Sequence, residues 1–143
     1  MDMAHFLAAL VARPDLPHIL RNERTGQTLA ANLEPFFDPA ARRRGLLGRD
    51  RLDPGVAAIL APCNAIHTLF MRFAIDVVFV RRDGVVTKVC PDVKPWRAVQ
   101  SLRAFAAIEL AAGGARQAGT HPGDRLSLAL GGQSAPGQTK IFI

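Results

Sequence analysis

The stretch Ile75-Asp76-Val77-Val78-Phe79-Val80-Arg81-Arg82-Asp83-Gly84-Val85-Val86-Thr87-Lys88-Val89-Cys90 decides how the chain is read. Two runs rich in Val, Ile and Phe flank Asp83-Gly84, a dipeptide that accepts the positive φ angles of a tight hairpin turn. A two-residue turn there pairs Arg82 with Val85, Val80 with Thr87 and Val78 with Val89. On the opposite face Phe79 meets Lys88 and Val77 meets Cys90. Both faces of the first strand are then apolar at its centre, which puts it between layers or in the middle of a barrel.

Alternation predicts further strands on either side. Over 104–110, Ala106, Ile108 and Leu110 face one way and Glu109 the other. Over 125–130, Leu126, Leu128 and Leu130 alternate with Arg125, Ser127 and Ala129. Earlier strands are expected at 18–22, 27–33 and 56–60, the first two separated by Thr25-Gly26. Two short helices interrupt them. Asp38-Pro39 reads as an N-cap and first helical residue. Arg42, Arg43 and Arg44 fall in its last turn, where cations suit the helix dipole, and Gly45 closes it. The second helix is expected at 114–118, ended by Gly119. His121-Pro122-Gly123-Asp124 reads as a turn into the last strand. The predicted fold is mostly β (α+β): a small barrel-like domain of antiparallel or mixed sheet with two or three short helices.

Composition agrees with a packed domain. The chain has 143 residues, 49% hydrophobic and 21% charged, too apolar for a disordered segment. No apolar run reaches the roughly 18 residues that cross a bilayer as a helix. Residues 1–15 read as a helical extension ending at Arg13-Pro14. Its first charge is Asp2, and it lacks the positive leading region of a signal peptide, so a cytoplasmic location is expected. Residues 16–130 form the single expected compact domain. Residues 131–143 read as a loop and C-terminal tail, within which Lys140-Ile141-Phe142-Ile143 makes either an edge strand or a loose end. Cys63 and Cys90 do not amount to a disulfide framework and are expected as reduced core residues.

Candidate chemistry concentrates in Pro62-Cys63-Asn64-Ala65-Ile66-His67-Thr68-Leu69-Phe70-Met71-Arg72-Phe73-Ala74-Ile75-Asp76. A carboxylate between Ile75 and Val77 on a buried strand needs an answering group, and His67 and Arg72 are the nearest candidates. The functional reading gives His67 and Asp76 acid–base or orienting roles. The structural alternative makes His67 a satisfied core histidine and lets Asp76 cap a turn or pair with Arg72. Lys94-Pro95-Trp96-Arg97 holds the only tryptophan, as a pocket wall or a hydrophobic plug.

Other chemistries find less support. Cys63, His67, Cys90, His121 and Asp76 match no zinc spacing, so no metal site is expected. No Walker loop, G-x-G-x-x-G or G-x-S-x-G occurs, so no cofactor is expected. The net charge of +6 and pI near 10.6 suit an anionic ligand or surface. No nucleic-acid-binding motif accompanies them, so that partner is not expected.

Taken in order, several motifs resemble the bacterial and archaeal family catalogued as domain of unknown function 192. They are Arg44-Gly45-Leu46-Leu47-Gly48-Arg49, His67-Thr68-Leu69-Phe70-Met71-Arg72, Ile75-Asp76-Val77-Val78-Phe79-Val80, Asp83-Gly84, Lys94-Pro95-Trp96, Ile108-Glu109-Leu110 and Gly123-Asp124. The resemblance covers roughly residues 16–130. Leu47 stands where the family often has methionine, a conservative departure. The resemblance implies a compact, mostly β fold with short helices and no established activity, in a family many of whose members look exported.

Three functional expectations follow. The first is a module binding a small polar or anionic ligand, or a partner, with Phe70, Met71 and Trp96 lining the site and Arg49, His67, Arg72 and Asp76 as polar contacts. The second is a hydrolase-like enzyme using His67 and Asp76 as acid and base. The third is an interaction protein without a small ligand, using the basic face around Arg42 to Arg51 or an exposed strand edge.

Overall fold

The computed structural model describes residues 4–131. In chain order the elements are α1 (Ala8–Ala12), β1 (His18–Asn22), β2 (Thr28–Ala30), β3 (Asn32–Phe36), α2 (Pro39–Arg44), β4 (Val56–Leu60) and β5 (Ala65–His67). They continue with β6 (Ile75–Val80), β7 (Val86–Val93), β8 (Ala98–Gln100), β9 (Ala106–Ala111), α3 (Gly114–Gln117) and β10 (Leu126–Leu130). The mostly β, α+β class is as the sequence predicts. No helix among the described residues is long and apolar enough to cross a membrane.

A five-stranded sheet in the order β3-β4-β9-β6-β7 forms the centre. Only β3 and β4 run parallel in it. Strict alternation divides its side chains between two cores. Ala57, Ile59, Val78, Val80, Ala106, Ile108 and Leu110 face one way, onto Leu20 and Leu126 of a three-stranded sheet β10-β1-β2, onto Leu10 of α1 and onto Leu7 at its N-cap. Ala58, Leu60, Val77, Phe79 and Ala107 face the other way, onto Phe36, Leu46, Leu52, Ile66 and Met71. Every residue of β6 is buried. Apolar side chains on both faces require cover on both faces, which the sequence of this strand predicts.

The sheets are not closed into a barrel, contrary to the barrel-like expectation. After β9 the chain turns through α3, and β10 pairs with β1 rather than with either edge of the central sheet. The hairpin also differs at its tip. Val77 meets Cys90, Val78 meets Val89 and Phe79 meets Lys88, but Val80 lies opposite Val86. The Arg81 N–H donates to the Val85 carbonyl, and the Arg81 carbonyl accepts from Gly84. The loop therefore has three residues, with Gly84 at φ +86. Its one extra residue shifts the register as a bulge does.

The strand expected over 27–33 is two strands, broken at Ala31. The N–H groups of Ala31 and Asn32 donate to the Gly55 carbonyl as the chain passes from the smaller sheet to the larger. The small pair β5-β8 was not foreseen, each partner being three residues long. The possible edge strand at 140–143 lies outside the described residues.

Candidate functional site

The site is built on α2 and β9. The side chain of Asp38 accepts from the Ala41 N–H at 2.8 Å, Pro39 follows it, and Gly45 ends the helix at φ +45. Cap, proline and glycine hold this short helix with Arg42, Arg43 and Arg44 in its final turn. Arg42 is committed to structure: its Nη1 donates to the carbonyls of Phe37 and Ala61. No described acidic side chain forms an ion pair with Arg43 or Arg44.

Beneath this helix lies the second face of the sheet. Glu109 shares that face of β9 with Ala107, and its register neighbours are Ala58 on β4 and Val77 on β6. Ala58 and Ala107 are fully buried in the core on this face. A cavity of about 320 Å³ occupies this side of the molecule, bounded by Arg42 to Leu47, Leu60, Cys63, Ala65 to His67, Met71 and Glu109. That is the lower end of the size range for small-molecule sites. Its walls are apolar and its rim carries guanidinium groups and an imidazole.

Glu109 is the unusual group. It is 4% exposed, and its Oε2 has no hydrogen-bond partner among the described residues. Burial pushes its pKa from 4.5 up to about 7, and the nearby charge of Arg49 acts in the opposite sense. A buried carboxyl without a partner favours its neutral form, because the charged form loses hydration with little in return. Near neutral pH both its forms are therefore populated, and the protonated one donates a hydrogen bond. Cys63, also on the cavity, donates to the Ala65 carbonyl at 3.2 Å. Burial raises its pKa, with the Glu109 charge adding in the same direction, so it stays a thiol and is a poor nucleophile.

The residues singled out by sequence separate into four places. His67 and Met71 line the cavity. Phe70 and Trp96 pack edge to face outside it, with centroids 4.7 Å apart. Arg72 pairs with Asp50 at 2.7 Å, and Arg49 with Glu34 at 2.7 Å. Asp76 is fully buried, and its carboxylate accepts from the backbone N–H groups of Asp92, Gly113 and Ala115. The expected answer from His67 or Arg72 is therefore corrected: peptide groups supply it. Asp76 joins the start of β6 to the bulged end of β7 and the first turn of α3, a fold-building task.

Both cysteines are free, and no cluster of three metal-ligating side chains occurs among the described residues. The residue that sequence reading missed is Glu109. Alternation placed it opposite Ala106, Ile108 and Leu110 and gave it no role. The signal that could have found it is that Ala107 and Ala111 share its face, and alanine alternating with a lone carboxylate is not a typical solvated edge.

Comparison with known proteins bears on the fold. None of the curated proteins matches the chain. A crystal structure of a proposed transcription regulator from Sinorhizobium meliloti is similar at 23% identity and a TM-score of 0.67, over 77% of this chain and 90% of that one. A protein of unknown function from Novosphingobium aromaticivorans is similar at 20% identity and a TM-score of 0.67, over 78% of this chain and 83% of that one. At such identities the likeness speaks for the fold alone. The profile of the DUF192 family, described as "Uncharacterized ACR", matches residues 20–128. That span is most of the chain and holds both α2 and β9, and the chain belongs to the DUF192 family.

Proposed function

We propose that the protein is a binding module for a small anionic ligand, taken into the cavity between α2 and the face of β9. The observation that carries this reading is Glu109, a buried carboxyl with an unpartnered oxygen in a cavity whose rim holds Arg43 and Arg44. An anion at the rim would accept charge-assisted hydrogen bonds from the guanidinium groups. Its body would rest on Leu46, Ile66 and Met71. The protonated Glu109 would donate to an acceptor at the inner end, and His67 would offer a second polar contact at the rim. Compared with the site expected from sequence, this one keeps His67 and Met71 and leaves out Arg49, Phe70, Arg72, Asp76 and Trp96.

A thermal-shift series with inorganic phosphate and short carboxylic acids tests the reading, because a ligand that binds only the native state raises its melting temperature. At least one of these anions is expected to stabilise the parent. Replacing Arg43→Ser and Arg44→Ser together should weaken that ligand about tenfold or more, the loss expected for charged hydrogen bonds. Equal stabilisation of parent and double variant, or none by any small anion, would overturn it.

A second reading, a hydrolase-like enzyme, draws on the same group. A carboxyl titrating at about 7 is matched to acid–base work at neutral pH. Glu109 would then replace Asp76 as the partner of His67. Under that reading Glu109→Gln abolishes turnover of an activated ester or phosphoester. Turnover that survives in Glu109→Gln rejects it.

A further inference from the structure

Thr68 is a fully buried polar residue with an unusual number of tasks. Its N–H donates to the Arg97 carbonyl, and its own carbonyl accepts from Trp96 and Met71. Its hydroxyl donates to the Lys94 carbonyl at 2.6 Å and accepts from the Arg97 N–H at 2.9 Å. One side chain and one peptide unit thus tie the loop after β5 to the loop before β8. From this knot project Phe70, 71% exposed, and Trp96, 56% exposed, with Leu69 beside them. Phe70 and Trp96 lie at φ +64 and +66. That backbone region is unfavourable for bulky side chains and persists only where surrounding bonds fix it. Neither ring belongs to either core or lines the cavity. The fold therefore holds two aromatic rings out toward solvent, where core building does not account for them.

We propose that this tip, Leu69, Phe70 and Trp96, anchors the protein reversibly on an anionic lipid surface. Charge complementarity selects that partner. Lys94 and Arg97 stand on either side of Trp96 in sequence, both exposed, and form no ion pair with described acids, whereas Arg72 is answered by Asp50. Arg43 and Arg44 line the same cavity as His67 and Met71, the two residues that bracket Thr68, Leu69 and Phe70 in sequence. The chain as a whole carries +6. Indole and phenyl rings favour the headgroup level of a bilayer, and cations beside them draw on the negative surface potential. A single-stranded nucleic acid would stack its bases on open ring faces. Here one ring presents its edge to the face of the other, at 60°. A convex pair of that kind suits insertion between headgroups better than base stacking.

Trp96 is the only tryptophan and the chain has no tyrosine, so its fluorescence reports the tip directly. With vesicles of phosphatidylcholine and phosphatidylglycerol in equal parts, its emission should move to shorter wavelength and resist acrylamide quenching. Vesicles of phosphatidylcholine alone should leave it unchanged, and high salt should reverse the shift. Phe70→Ser, read by the same tryptophan, should weaken partitioning about tenfold, as should Lys94→Glu with Arg97→Glu. Leu102→Ser removes a leucine that is 79% exposed at the far end of β8 and should partition like the parent. Any of three results would overturn the proposal. They are no shift with anionic vesicles, an equal loss in Leu102→Ser, or shielding of Trp96 by a single-stranded oligonucleotide and not by vesicles.

Discussion

Glu109 and Asp76 are both buried carboxyls on the central sheet, and their surroundings give them opposite work. Asp76 accepts three backbone N–H groups drawn from β7, the Gly113 turn and α3. Asp76→Ala would leave those three donors without their acceptor and should cost about 3 kcal/mol or more in chemical denaturation. Glu109 receives no such support at Oε2, and its folded pKa of about 7 lies above its ordinary 4.5. The native state then binds the extra proton between those values. Its contribution to stability is complete below pH 4.5 and is lost as pH rises through 7. In Glu109→Gln this loss disappears, so the stability difference between parent and variant should change by about 3 kcal/mol across that interval. A variant whose difference stays constant with pH would deny Glu109 its raised pKa. The need for a partner at Asp76 was legible, because a charge between Ile75 and Val77 announces it. The partner was not, since residues 92, 113 and 115 are brought there only by the bulge and the α3 turn. Glu109 was hidden for another reason: period-two alternation assigns a face but not what covers it.

Among the elements, the β6–β7 hairpin carries the register of the central sheet. Three of its predicted cross-strand pairs form because apolar faces leave one register that buries both sides. Its tip is set by contacts outside the hairpin. Gly84 accepts from the Leu126 N–H at 2.8 Å, and Val85 bridges to Arg125. A Cβ on Gly84 would collide with the Leu126 carbonyl, at a φ of +86 that disfavours any side chain. Gly84→Ala should therefore cost about 2 kcal/mol or more, seen as a lower denaturant midpoint at unchanged slope. Helix α2 was legible from Asp38, Pro39 and Gly45 because local rules govern helix ends. The β5-β8 pair was not, since three-residue strands carry too few alternations and owe their place to Thr68.

The whole molecule is two cores on one sheet, and it also carries an acid-sensitive tie between distant loops. Asp124, 5% exposed, accepts from Arg24, from the Asn22 amide and from the His121 N–H. The Arg24 guanidinium, foremost, holds its carboxyl well below the usual carboxylate range. A depressed folded pKa gives stability that is present above the unfolded value and lost as pH falls through the folded one. Asp124 thus limits stability on the acid side and Glu109 on the neutral side. Asp124→Asn should flatten the acid limb of the stability profile while leaving the neutral limb in place. Mostly β class and two-sided burial were legible in composition and alternation. The open arrangement was not, because nothing local to β10 says that it returns to β1 instead of closing a barrel.

A titration of the Glu109 carboxyl carbon by NMR, with and without the small anion that most raises the melting temperature, bears most directly on the cavity. The account predicts a midpoint near 7 that moves higher when the anion binds, because an anion in the cavity favours the protonated acid. A midpoint at the ordinary 4.5, unmoved by the anion, would contradict it.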